Sequence, residues 1–116
     1  MTRTVLVVDD ERFIVDLLAE VLAEEGYRVR TAYDGEAALR DISIAPPDLV
    51  LSDVAMPHLN GIELAHRLQA QGIPVILMSA AVSNPRTPGV GFIPKPFDLS
   101  QILDLVAEQL DDLGDG

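Results

Sequence analysis

A chain of 116 residues suffices for one domain around one hydrophobic core, and 48% apolar residues with only 4% aromatic describe an aliphatic interior of Val, Leu, Ile and Ala. The absence of cysteine excludes a disulfide framework, thiol catalysis and thiolate metal sites. A formal charge of −11, with only eight Lys and Arg, argues against direct nucleic-acid binding and suits cations or basic partner surfaces.

Two kinds of apolar segment alternate along the chain. TVLVV (4–8) is short, continuous and β-branched, as in a strand buried on both faces of a parallel sheet. Asp9 ends that run too early for a signal-peptide core or a membrane span, so a soluble, cytoplasmic protein without membrane contact is expected. A helix follows from about Glu11 to Glu25 with Ile14, Leu17, Leu18, Val21 and Leu22 on one face, and Gly26 stops it. RVRTA (28–32) is a weaker, alternating strand that suits a sheet edge. DGEAALRDIS (34–43) reads as a helix after an Asp-Gly start, offering Ala37, Ala38 and Ile42 to a core. DLVLS (48–52) is a second buried strand, GIELAHRLQAQG (61–72) a helix with Ile62, Leu64, Ala65 and Leu68 inward, and PVILMS (74–79) a third buried strand. Residues 80–91, AAVSNPRTPGVG, break the rhythm: Pro85, Pro88, Gly89 and Gly91 leave no amphipathic period, so at most one helical turn is expected there. GFIPK (91–95) suits an edge strand, and DLSQILDLVAEQLDDL (98–113) closes the chain as a helix burying Ile102, Leu103, Val106 and Leu110. The alternation predicts a doubly wound α/β fold, a parallel sheet with helices on both faces, in a single domain over 1–116 with four substantial helices.

In such a sheet, ligands bind where the strands end. Asp9 and Asp10 end the first strand and Asp53 ends the third, so adjacency of those strands would bring three carboxylates to one edge. Carboxylates cluster stably when a hard divalent ion such as Mg²⁺ lies among them. Ser79 ends the fourth strand and Lys95 the fifth, adding a hydroxyl that can donate to a phosphoryl oxygen and an ammonium that can neutralise one. Singly, each acid is equally a turn or cap residue, Ser79 a cap and Lys95 a solvated charge. His58 and His66 have no partner at ligand spacing and read as surface residues.

The acidic pair in VVDDE, the Asp-x-x-Met-Pro-x-x-x-Gly spacing of SDVAMPHLNG, then LMSA and KPF, in this order, closely resemble the receiver domains of bacterial response regulators, over essentially Thr4 to Leu113. The resemblance implies a flavodoxin-like fold with five parallel strands in the order 2-1-3-4-5. It implies Asp53 as phosphoacceptor, Asp10 as a direct Mg²⁺ ligand, Asp9 as a ligand through water and the main-chain carbonyl of Ala55 as a further one. Ser79 and Lys95 would contact the phosphoryl group. Phe92 would be the aromatic that moves when Ser79 swings toward the phosphate, although it serves equally as core and lacks a tyrosine's hydroxyl. A cis Lys95–Pro96 bond belongs to the same pattern. The implied function is phosphorelay signalling: the chain accepts a phosphoryl group from a sensor histidine kinase or histidine phosphotransfer protein and regulates a downstream protein target. It would catalyse only its own phosphorylation and dephosphorylation.

The chain departs from the family between the fourth and fifth strands, where the usual helix is expected to be shortened or absent; inheritance of the usual dimerisation or output surface is therefore open. An alternative is a receiver-like interaction scaffold that is not regulated by phosphorylation, but that reading would be favoured by a missing Asp or Lys. An aspartate-nucleophile phosphatase resembles Asp-x-Asp at the first strand end, whereas Asp9 and Asp10 are adjacent here. Flavin binding would need a Ser/Thr/Gly-rich phosphate loop after the first strand, which is lacking.

Overall fold

The computed structural model describes residues 2–80 and 90–111. Strand and helix alternate as the apolar pattern requires: β1 (Thr4–Val8), α1 (Arg12–Glu24), β2 (Arg28–Ala32), α2 (Gly35–Ile44), β3 (Leu49–Asp53), α3 (Gly61–Gln69), β4 (Val75–Ser79), β5 (Gly91–Pro94) and α4 (Leu99–Asp111). All strand pairs are parallel, in the order β2-β1-β3-β4-β5. The two strands read as edges are the edges. Pro94 is tolerated on β5 because an edge strand has no outer neighbour needing its amide.

The sheet is covered on both sides, which is why β1, β3 and β4 read as unbroken apolar runs. Along β1, Leu6 and Val8 point to one core, shared with Ala38 and Ile42 of α2 and with Leu64, Ala65 and Leu68 of α3. Val5 and Val7 point to the other, shared with Val15, Leu18 and Leu22 of α1 and with Ile102, Val106 and Leu110 of α4.

The sequence placed Ile14, Leu17 and Val21 inside α1 with Leu18 and Leu22, but the fully buried line is Val15, Leu18 and Leu22, and the other three are half-buried. A helix lying on a sheet buries a narrow stripe and leaves the flanking apolar residues on its shoulders. Leu103 of α4 is half-buried for the same reason. The helix expected to reach residue 72 stops at Gln69. Both α1 and α3 close with paired backbone bonds around a left-handed glycine: Gly26 (φ 97°) donates to Ala23 and Tyr27 to Leu22, Gly72 (φ 77°) donates to Gln69 and Ile73 to Leu68. The expectation of at most one helical turn in 80–91 falls almost wholly on residues 81–89, which lie outside the described residues, as does the end of the closing helix beyond 111. Among the described residues there are four helices. None is long and apolar enough to cross a membrane.

Candidate functional site

Five strands running one way place all their carboxyl ends on one edge, and the register decides which residues meet there. Val8 is level with Ser52, so Asp9, one step past β1, stands beside Asp53, the last residue of β3. Asp53 is level with Met78, and Ser79 with Pro94, which carries the edge across β4 to Lys95. The Lys95 amide donates to the Ser79 carbonyl at 2.7 Å, and the Val54 amide to that of Met78 at 2.9 Å, fixing both strand exits. Lys95–Pro96 is cis.

Asp9, Asp10 and Asp53 each present a carboxylate oxygen within 4.8 Å of the others. Asp9 is fully buried and Asp53 only 5% exposed, whereas Asp10 is exposed. The Lys95 ammonium lies among them, donating to Asp9 Oδ2 at 3.0 Å and standing 3.3 Å from Asp53 Oδ1 and 3.5 Å from Glu11 Oε1. The second Asp9 oxygen accepts the Glu11 amide at 2.9 Å. Burial pushes the Asp53 carboxyl above the usual carboxylate range and the charge of Asp9 pushes it further, against the pull of Lys95. Burial raises Asp9 as well, offset in part by the Glu11 amide and Lys95. For Lys95, burial acts downward, but the hydrogen bond to Asp9 and the charges of Asp53 and Asp9 together hold it above the ordinary lysine value. Among the described residues, one ammonium cannot balance three aspartates and a glutamate, so this cluster retains a surplus of negative charge. Its donors are all hard oxygens, two of them almost dehydrated, and this set fits a small divalent cation.

The cluster opens on a cleft of about 370 Å³ lined by Asp10, Glu11, Asp53, Val54, Ala55, Ser79, Ala80 and Lys95. Every predicted polar site residue except Asp9 lines it, and Asp9 forms its buried floor. Ser79 is 4% exposed at the β4 end, and small Ala80 beside it leaves the approach open. The loop between β3 and α3, which brings in Ala55, is pinned by Met56 and Leu59, both buried in the core under α2 and α3. His58 in that loop and His66 on α3 are exposed, as expected. Phe92 is half-buried against the same core as Leu77, its partner on β4, and so shares a sheet face with Ser79 two residues farther along. It does not line the cleft. Glu11 lines the cleft as well, a residue that the sequence reads only as the start of a helix; its one signal there is that it is the third consecutive acid of VVDDE.

A profile of the response regulator receiver domain matches residues 5–107. Among curated proteins, response regulator GtcR of Aneurinibacillus migulanus is 38% identical over 95% of this chain and 48% of its own length. The alkaline phosphatase synthesis transcriptional regulatory protein PhoP of Bacillus subtilis is 44% identical over 69% of this chain and 34% of its own length. The chain thus spans about half or less of these relatives. Among solved structures, the receiver domain of the Francisella response regulator 1452 superposes with a TM-score of 0.87 at 30% identity, covering 97% of this chain and 99% of its own. The chemotaxis response regulator CheY4 of Vibrio cholerae gives 0.83 at 28%, over 95% and 100%. With a profile match running from the first strand into the last helix, the chain belongs to the receiver domains of two-component response regulators.

Proposed function

We propose that Asp53 is the phosphoacceptor of this receiver, and that it takes its phosphoryl group from the phosphohistidine of a sensor kinase or phosphotransfer protein. One observation carries the assignment. Asp10 also lines the open cleft and Asp9 also meets the ammonium, but of the three clustered aspartates only Asp53 combines both, at the end of the central strand and 3.3 Å from the Lys95 nitrogen. A carboxylate oxygen of Asp53 attacks the phosphorus, the P–N bond to the donor imidazole breaks as the O–P bond forms, and the released imidazole nitrogen recovers a proton. Little covalent work is asked of the protein in such a transfer, so positioning and charge stabilisation dominate.

Lys95 offsets the charge of the approaching phosphoryl oxygens, and the Ser79 hydroxyl at the neighbouring strand end donates to one of them. Asp10 and Asp53, with Asp9 through water and the main-chain carbonyl of Ala55, would hold Mg²⁺. When bound, the ion supplies positive charge that lets an anionic nucleophile meet an anionic phosphoryl group. Hydrolysis of the acyl phosphate within the same cleft resets the module, so the chain catalyses only its own modification. The added phosphate, with roughly −1.5 to −2 charge if it resembles a serine ester, draws Ser79 toward it, and Phe92 on the same sheet face moves into the vacated space. The readout is a changed surface for a downstream protein target.

Incubation with acetyl phosphate and Mg²⁺ should add a single phosphoryl group, labile to base and hydroxylamine, as seen by intact mass. Asp53→Ala should take up none. Equal labelling of that variant would place the acceptor elsewhere.

A further inference from the structure

Glu11 follows Asp9 and Asp10 as a third consecutive acid and lies outside the trio of aspartates that could hold a metal. It occupies the N-cap of α1, yet its side chain makes no capping hydrogen bond. Its amide is taken by Asp9, and its carboxylate turns into the cleft, 3.5 Å from the Lys95 ammonium. That ammonium meanwhile sits on oxygens of Asp9 and Asp53, at 3.0 and 3.3 Å, the two buried carboxylates of the trio that could hold a cation. Lysine and metal therefore compete for the same carboxylates, and their like charges repel. Of the ion pairs that Lys95 makes among the described residues, the one to Glu11 is the longest and has the most to gain by shortening. Glu11 can also make the adjustment: its side chain is 65% exposed, whereas those of Asp9 and Asp53 are held by burial.

We propose that Glu11 is a positioning residue for Lys95. When a divalent cation takes the aspartate oxygens, the ammonium shifts onto Glu11, which retains it at the cleft wall facing Asp53. There it meets the oxygens of an incoming phosphoryl group. Without Glu11 the ammonium has two alternatives, to stay and oppose the metal or to leave for solvent. The inference rests on the metal-assisted reading above, deepening it by one residue.

The test is Mg²⁺ affinity of the full chain, by calorimetry, for the parent, Glu11→Gln, Lys95→Met and the double variant. In the parent, Glu11→Gln should weaken Mg²⁺ by about two- to fivefold, the worth of one exposed ion pair. In the Lys95→Met background the same change should cost less than about twofold, because the group it positions is gone. Equal losses in both backgrounds would show Glu11 acting on the metal by charge alone and would overturn the proposal, as would no loss in the parent. A spectroscopic arm follows the lysine itself. The ¹H–¹⁵N resonance of the Lys95 ammonium should survive Mg²⁺ addition in the parent and in Glu11→Asp and vanish in Glu11→Gln; a resonance indifferent to Glu11→Gln counts against the role. A parent without any Mg²⁺ response removes the metal-assisted reading itself, whereas a Mg²⁺ response with no coupling between the two substitutions removes only the part given to Glu11.

Discussion

Gly61 sits where a side chain has no room. A Cβ there would fall on the carbonyl oxygen of Asp53 and come within 2.9 Å of Val54 Cα, backbone that cannot swing aside. The Gly61 amide also donates to the Val54 carbonyl at 2.9 Å, so the start of α3 is bolted directly to the exit of β3. This gives a physical reason for the glycine of the Asp-x-x-Met-Pro-x-x-x-Gly spacing, which the sequence offered only as a pattern. Gly61→Ala should destabilise the domain by roughly 1–3 kcal/mol, as overpacking does. It should also slow labelling of Asp53, whose backbone must move. A urea midpoint and labelling rate equal to the parent's would refute the steric reading. Other residue-scale facts were not legible. The contact between Asp9 and Lys95 joins residues 86 apart, and no local pattern encodes which of several acids an ammonium will choose. The left-handed backbone of His58, at φ 67°, was equally invisible, because histidine, although enriched in that conformation, adopts it at only a small minority of positions.

Elements were more readable than contacts, since burial on one or two faces leaves a periodic trace while a side-chain meeting does not. The Asp-Gly start read for α2 is a true cap: Asp34 accepts the Ala37 amide at 2.7 Å. Asn60 does the same for α3 through the Glu63 amide at 2.9 Å. At α4, Asp98 accepts the Ser100 amide at 3.0 Å while the Gln101 side chain accepts the Asp98 amide at 3.3 Å, two bonds that together close the head of the helix. Glu11 at the head of α1 is the exception, in keeping with a side chain directed to the cleft instead. Asp34→Ala should cost about 1 kcal/mol in urea denaturation, and Asp34→Asn should recover most of it, because an amide oxygen caps as well as a carboxylate. An Asn variant as unstable as the Ala variant would mean that charge, not capping, is what Asp34 supplies.

At the scale of the whole molecule, nineteen acids against eight bases set a repulsive background, and the cluster on the sheet edge concentrates it where folding also removes water. Asp9 and Asp53 both titrate above the ordinary aspartate value, chiefly because burial disfavours their charged forms. Between the unfolded and folded values the folded chain holds more protons than the unfolded one, so stability falls as pH rises through the folded values and is recovered on acidification. Lys95 acts only in the alkaline range, where stability is lost as pH rises through its raised value. The metal-free domain, kept in EDTA, should therefore melt at a higher temperature in mildly acidic buffer than at neutral pH. Asp53→Asn should flatten part of that slope and raise stability at neutral pH by removing one buried charge. Saturating Mg²⁺ should reverse the trend, because protons then compete with the ion for the same oxygens. Sodium chloride at matched ionic strength, which screens the general repulsion without entering the cluster, should not reproduce that reversal. A metal-free slope identical in the parent and in Asp53→Asn would show that the pH dependence arises elsewhere among the acids.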